Sequence, residues 1–252
     1  MRNKSLYEYH IEAVSVNHNT SLYMELMLRS FFAMHDQSLP IAMTIIDNAS
    51  QDDGEGLGKF ADEKHIPIVQ SGFTTSTKNN SHGEILREFV LSHPDCTHYL
   101  FLDADVCFLE PDTVLLMLEA LEADATCFGI GPRMSWDGIN EIPEDIRINN
   151  PDIQAARLHP CCALIKNTPL FRHVVEEIGL SCANYLWAER DEYLDTFKLM
   201  TRVMRTHGLR HRIASPMIIH FFAVSYPWDP EEFRQQKVSE RDRRLTALRE
   251  SR

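Results

Sequence analysis

Short apolar runs and amphipathic stretches alternate along the first half of this chain. Ile11–Val16, Ile41–Ile46, Ile66–Val69 and Tyr99–Leu102 have the length and continuous apolar character of buried strands. Between them, Tyr23–Phe32, Gly54–Lys64 and His82–Leu91 repeat apolar residues three and four apart, which predicts helices. Thr20 or Ser21 can cap the first helix, and Pro111 can open a fourth running to about Glu122. Strands alternating with helices predict an α/β domain: a mostly parallel sheet with helices on both faces.

The second half is less regular. Ala125–Ile130, Leu158–Ile165 and Met217–Phe222 read as strands, and Asn167–Arg172 as a helix start. Tyr193–Gly208 reads as one amphipathic helix, with basic residues in its last turns and a terminal glycine. Met134–Pro151, rich in Asp, Asn, Glu and Pro, reads as a long loop of the kind that forms a lid or a binding surface. Glu231–Arg252 is charge-dense and reads as an exposed helix or a frayed end. No repeat and no linker is visible, so a single domain over 1–252 is expected.

Polar clusters close three of the early strands: Ser15-Val-Asn17, Asp47-Asn-Ala-Ser50 and Asp103-Ala-Asp105. In parallel sheets ligands bind beyond the carboxyl ends of strands. Asp103 and Asp105 are two apart, and strand alternation would aim both the same way. Two like charges there need a partner, and a divalent cation brought by a phosphorylated substrate is the simplest.

Composition bears on partners. The chain has 252 residues, 44% hydrophobic and 25% charged, with a formal net charge of −12. That balance argues against nucleic acid or an anionic membrane as the main partner, but a bound cation can invert the local field. No leader is recognisable in the first ten residues, and no apolar run approaches the roughly 20 residues of a membrane span. The six cysteines show no Cys-x-x-Cys spacing and mostly sit among apolar residues. A protein with reduced thiols is expected, either free in the cytoplasm or peripheral at a membrane.

The succession Val-Ser-Val-Asn17, Ile-Ile-Asp47-Asn-Ala-Ser-Gln-Asp, Asn79-Asn-Ser-His-Gly83 and Phe-Leu-Asp103-Ala-Asp105 resembles the inverting glycosyltransferases of family 2. These belong to the nucleotide-diphospho-sugar transferases and have the GT-A fold. The resemblance covers about 11–222, most clearly 11–110. It implies a donor half at about 11–130, an acceptor half at about 131–230 and a charged tail. It implies a nucleotide-sugar donor, UDP-sugar before GDP- or dTDP-sugar, with Mn²⁺ or Mg²⁺. The acceptor is left open: a glycan, a peptide or a small molecule.

The same resemblance implies roles. Ser15, Asn17 and Asp47 would line the base and ribose pocket. Asn79, His82 and Gly83 would face a phosphate or the donor sugar. Asp103 and Asp105 would form the metal-binding pair, with Asp103 also contacting ribose or sugar and His220 completing the metal shell. The general base would be an acid at the start of a second-half helix. The family's Glu-Asp pair is absent, leaving Asp195, then Asp191, then Glu192. Trp136, Trp187 and Trp228 could stack on sugar rings or simply pack, and His159 could face the acceptor.

Two other functions fit parts of the pattern. Phe-Leu-Asp103-Ala-Asp resembles the nucleophile motif of haloacid-dehalogenase-like phosphatases, in which Asp103 would be phosphorylated. That motif normally lies on the first strand of its domain, whereas about 100 residues of strand–helix pattern precede it here. A non-catalytic nucleotide-sugar-binding protein is the other alternative.

Overall fold

The structure, a computed structural model, describes residues 6–35, 39–73, 81–135, 137–141, 143, 156–186, 191–224 and 229–251. The early strands form as expected: β1 (Ile11–Asn17), β2 (Ile41–Asp47), β3 (Ile68–Gln70) and β4 (His98–Asp103). With them alternate α1 (Ser21–Met34), α2 (Glu55–Glu63) and α3 (Ser81–Ser92). Then follow β5 (Val106–Phe108), α4 (Thr113–Glu122), β6 (Cys127–Met134), β7 (Cys162–Lys166), α5 (Pro169–Glu177), β8 (Ala183–Leu186), β9 (Asp191–Leu194), α6 (Lys198–Thr206), β10 (Arg210–His220) and α7 (Glu231–Glu250).

Eight strands make one sheet in the order β3-β2-β1-β4-β7-β6-β10-β5. The β3-β2-β1-β4 half is parallel, and β10 runs parallel to β6. β7 and β5 run antiparallel to their neighbours. Strand alternation divides the core. Leu100 and Leu102 of β4 pack with Met24, Met27, Phe31, Phe60 and Met117 from α1, α2 and α4. Tyr99 and Phe101 face Leu86, Phe89, Phe171, Val174 and Met200 from α3, α5 and α6. A strand covered on both faces has no polar side, which is why β4 is apolar from Tyr99 to Leu102.

Three expectations change. The predicted helix over 193–208 is a strand, a turn and a shorter helix. Tyr193 pairs across the β8–β9 ribbon with Asn184, and α6 begins only after Phe197, whose backbone is left-handed at φ 68°. Phe197 is buried edge-on against Phe101, with ring centroids 5.0 Å apart, so core packing overrides the helical spacing. β6 extends to Met134 and takes the start of the expected loop. β10 starts seven residues before Met217, because pairing with β6 holds its polar first half in the sheet.

The caps also differ from expectation. The side chain of Thr20 donates to Asn17 Oδ1, and Asp52 caps α1 by accepting from the Ser21 backbone at 2.7 Å. At α4, His35 does a similar job. Its Nδ1–H donates to Phe31 O at 2.8 Å, which leaves Nε2 to accept from Val114 N at 3.1 Å.

The charge-dense tail is a docked helix. Glu25 of α1, 1% exposed, receives Arg249 at 2.5 Å and Arg29 at 2.7 Å. Burial pushes the Glu25 carboxyl up, but these guanidinium bonds outweigh it and hold it below its usual value. Leu245 is buried beside Tyr23, Ile219 and Phe221. Lys237, 3% exposed, donates to Phe222 O at 2.9 Å and Asp229 Oδ2 at 2.6 Å. Its Nζ also lies 4.4 Å over the Phe222 ring. Phe222 and Ala223 have positive φ, 23° and 59°, so Lys237 secures a strained turn directly after β10. Gly138 packs on the same clasp, since a Cβ there would stand 2.4 Å from Lys237 Cε.

Two outcomes follow from this packing. Lys237→Met leaves Asp229 and the Phe222 carbonyl without their donor and should cost about 3–5 kcal/mol in urea unfolding; a loss below about 1 kcal/mol would deny the clasp. Burial lowers the His35 pKa, against the raising pull of the Phe31 carbonyl and Asp112. Above the ordinary histidine value the ring is neutral folded and unfolded. As pH falls through about 6.5 the unfolded chain binds the proton first, so stability drops. His35→Leu should be less stable near neutrality, yet lose less than the wild type between about pH 7 and about pH 5; an unchanged pH slope would count against His35.

Candidate functional site

Parallel register brings the polar ends of the strands to one rim. Asn17 stands opposite Asp47 and Val16 opposite Asp103. Asn17 Nδ2 lies 3.1 Å from Asp47 Oδ1, Ser21 Oγ and Ser50 Oγ. The other Asp47 oxygen accepts from Ser50 N at 3.3 Å and Gln70 Nε2 at 3.2 Å. Asn48, buried next to Asp47, ties this rim to Ser81 at the start of α3, at 2.9 Å. Ser15 is two residues short of the tip and fully buried, and its Oγ has no partner among the described residues.

Asp103 and Asp105 converge by a different route from strand alternation. β4 ends at Asp103, and Ala104–Asp105 form a turn into β5. β5 pairs antiparallel with β10, and this sets His220 opposite Val106. His220 Nε2 lies 3.4 Å from Asp103 Oδ2 and 3.3 Å from Asp105 Oδ1. Buried Ser135 fixes the His220 backbone: its Oγ accepts from His220 N at 2.9 Å and donates to His220 O at 3.0 Å. On the other side, His82 Nε2 is 3.5 Å from Asp103 Oδ1.

The electrostatics follow from this packing. Burial alone would raise the Asp103 carboxyl, but the His220 hydrogen bond and the neighbouring His82 outweigh it and hold Asp103 well below the usual carboxylate range. Burial would favour neutral His220, yet the Cys161 sulfur and the Asp105 and Asp103 carboxylates push its pKa well up. The imidazolium supplies positive charge that two buried carboxylates require.

The chemistry of the donor set suits a divalent cation. Two carboxylates and one imidazole offer ligand atoms all within 4.8 Å of one another. Both carboxylates are mostly buried, and the set is hard to borderline, suited to Mg²⁺ or Mn²⁺. The residues fit such an ion, which would take over the role of the His220 proton.

The remaining expected residues are placed unevenly. Gly83 is tight in α3, where a Cβ would stand 2.3 Å from Ser181 Cα, so its small size serves helix packing. Asn79, Trp136, Trp187 and Trp228 lie outside the described residues. Asp191 and Glu192 are on β9 rather than at a helix start. Asp195 lies in the turn before α6, where its Oδ2 pairs with Arg157 at 2.7 Å and its Oδ1 accepts from Thr196 N at 2.8 Å. Arg157 also donates to Thr196 O at 2.7 Å. His159 sits on the same segment, its ring centroid 5.1 Å from that of His220.

Sequence reasoning missed Arg157, Ser135 and Cys161. Cys161 O accepts from Asp103 N at 2.9 Å, which brings this segment against the carboxylates. The only sequence signal was the run His159-Pro-Cys161-Cys162 before a strand.

No protein-family model matches the chain, and no curated protein matches it. Solved structures do. A mannosyltransferase from Pyrobaculum calidifontis, in complex with GDP-Man and Mn²⁺, superposes with a TM-score of 0.57 at 16% identity over 96% of this chain. The chain spans 65% of that protein's length. Glucosyl-3-phosphoglycerate synthase from Mycobacterium tuberculosis, in complex with Mn²⁺, UDP-glucose and phosphoglyceric acid, gives 0.55 at 13% identity over 98% of this chain and 85% of that one. The same enzyme was also solved with Mg²⁺ and UDP, with a TM-score of 0.54. Over nearly its whole length, the chain has the fold of these glycosyltransferases, the GT-A fold.

Proposed function

We propose that this protein is a metal-dependent, inverting glycosyltransferase of the family 2 type, moving a sugar from a nucleotide diphospho-sugar to an acceptor nucleophile. The observation that carries the proposal is the convergence of Asp103, Asp105 and His220, beside Asn17 and Asp47, at the carboxyl rim of a GT-A sheet. UDP-sugar is the preferred donor, with GDP-sugar next. The structural neighbours bind donors of both kinds together with Mn²⁺.

Asp105 and His220, with Asp103, would hold the ion. When bound, such an ion supplies positive charge to the leaving diphosphate. Asp47 and Asn17 offer hydrogen-bonding groups for base or ribose, already fixed by Ser50 and Gln70. His82 places a ring nitrogen beside Asp103, on the side of the rim where α3 begins. Asp195 would take the acceptor's proton as the nucleophile attacks the anomeric carbon and the nucleotide diphosphate departs. Its pairing with Arg157 orients one carboxylate oxygen, and Asp195 remains partly exposed. Asp191 is the second candidate for this base. His159 would face the acceptor.

A reducing cytoplasmic location belongs to the same proposal, supported by six free cysteines. Among the described residues no helix is long and apolar enough to cross a membrane.

Calorimetric titration of UDP, GDP and dTDP with and without Mn²⁺ tests the donor site. One diphosphate should bind in a Mn²⁺-dependent way. Asp105→Asn should weaken it by more than the roughly 10–100-fold that follows loss of an outer-shell partner. Binding indifferent to metal and to Asp105 would overturn the donor site. Asp195→Asn should lower kcat by roughly 10²–10⁴-fold while leaving donor affinity unchanged; wild-type turnover would exclude Asp195 as the base.

A further inference from the structure

We infer that a second, softer metal site overlaps the first: His159, Cys161 and His220 form a site for a thiophilic divalent cation, zinc foremost, that competes with the hard ion for His220. Binding of the soft ion stands on donor geometry alone. Only the competition rests on the transferase proposal.

The three residues offer ligand atoms all within 4.8 Å of one another. Cys161 and His220 are buried, 2% and 5% exposed. His159 is half-buried, so the cluster is reachable from one side. Nε2 of His220 is already turned to the two carboxylates. Its Nδ1 is buried and has no hydrogen-bond partner among the described residues. An unpaired buried nitrogen is costly, and a metal bond is one way to satisfy it. As a neutral imidazole His220 can ligate one ion at a time, so the two donor sets share this one ligand.

The two sets differ in softness. Carboxylates select Mg²⁺ and Mn²⁺, whereas thiolate and imidazole select zinc and copper. Met134 adds to the soft side, with its Sδ 3.7 Å from Cys161 Sγ. Two imidazoles and a thiolate leave one position of a tetrahedral zinc open for water or that thioether. Coordination uses a thiolate and neutral imidazoles, so any proton on Cys161 Sγ or His220 passes to solvent as the sulfur–metal and nitrogen–metal bonds form. His159 Nδ1 accepts from Cys161 N at 3.2 Å. Ligation through either ring nitrogen exchanges that one long hydrogen bond for a metal bond.

Cys162 shows what an inert cysteine looks like here. It is buried in β7 among apolar neighbours and belongs to no such cluster among the described residues.

Co²⁺, a spectroscopic stand-in for zinc, tests the site in the full chain, purified metal-free under reducing conditions. Titration should give a near-ultraviolet thiolate-to-cobalt charge-transfer band that saturates stoichiometrically and is bleached by Zn²⁺. Cys161→Ser should abolish the band and His159→Ala should weaken binding at least about tenfold. Cys182→Ser, which alters the one cysteine that is not buried, should leave it intact. Zinc should also lower the rate at which Cys161 of the wild-type protein is alkylated, relative to the metal-free protein and read by mass spectrometry, so the test does not depend on how well the variants fold.

Absence of the band, its survival in Cys161→Ser, or unprotected Cys161 under saturating zinc would overturn the soft site. Release of bound Mn²⁺ by zinc, seen by paramagnetic resonance in the wild type and needing more zinc in Cys161→Ser, would establish the competition, and simultaneous binding of both ions would refute it. A cobalt band in a protein that binds no Mn²⁺ and no nucleotide would sink the transferase proposal and leave the soft site standing.

Discussion

Repulsion between Asp103 and Asp105 is the constraint on which the rim is built. Two carboxylates at the end of a buried strand can stay ionised only beside positive charge, and His220 is placed to provide it, 3.4 and 3.3 Å from one oxygen of each. This requires the chain to turn at once after β4, so that Asp105 faces back toward Asp103. It requires β5 to pair with the far end of β10, so that a residue more than a hundred positions later arrives between them. Ser135, at the end of β6, then locks the His220 backbone through both its N–H and its C=O.

The rest of the molecule supports that geometry. The two apolar layers clamp β4 from both faces, and the strand can end in charge only where the layers end. The C-terminal helix, polar on nearly all sides, docks through Arg249 on Glu25 at one end and through Lys237 on Asp229 and Phe222 O at the other. The second contact secures the turn that follows His220. A helix with little apolar surface of its own is therefore held by buried ion pairs, which are specific in geometry even where their net stabilisation is modest.

The acidic balance of the chain, −12 overall, sits oddly with an anionic ligand until the local field is considered. His220 stands against both carboxylates and Arg157 pairs with Asp195, so part of the negative charge at the rim is offset locally. A divalent ion would shift it further. The same imidazole that balances the carboxylates touches a thiol, so hard and soft donors share one ring. Which metal the rim would prefer is then a question of which neighbours His220 engages.

The sequence determined the strand–helix alternation, the apolar identity of β4 and the polar endings at Asn17, Asp47 and Asp103, because local periodicity and turn chemistry write these directly into the chain. It also made Asp103, Asp105 and His220 legible as candidates, since a carboxylate pair after a buried strand and a lone histidine in an apolar one are conspicuous by composition. What it could not express was pairing across distance. The β8–β9 ribbon replaced an amphipathic helix because Tyr193 found a cross-strand partner and Phe197 found the core. Arg157 met Asp195, Ser135 met His220, and Cys161 met the histidines, each through contacts between segments far apart in sequence. Tertiary structure alone decides such contacts, because their energy comes from burial and geometry that no single stretch of chain contains.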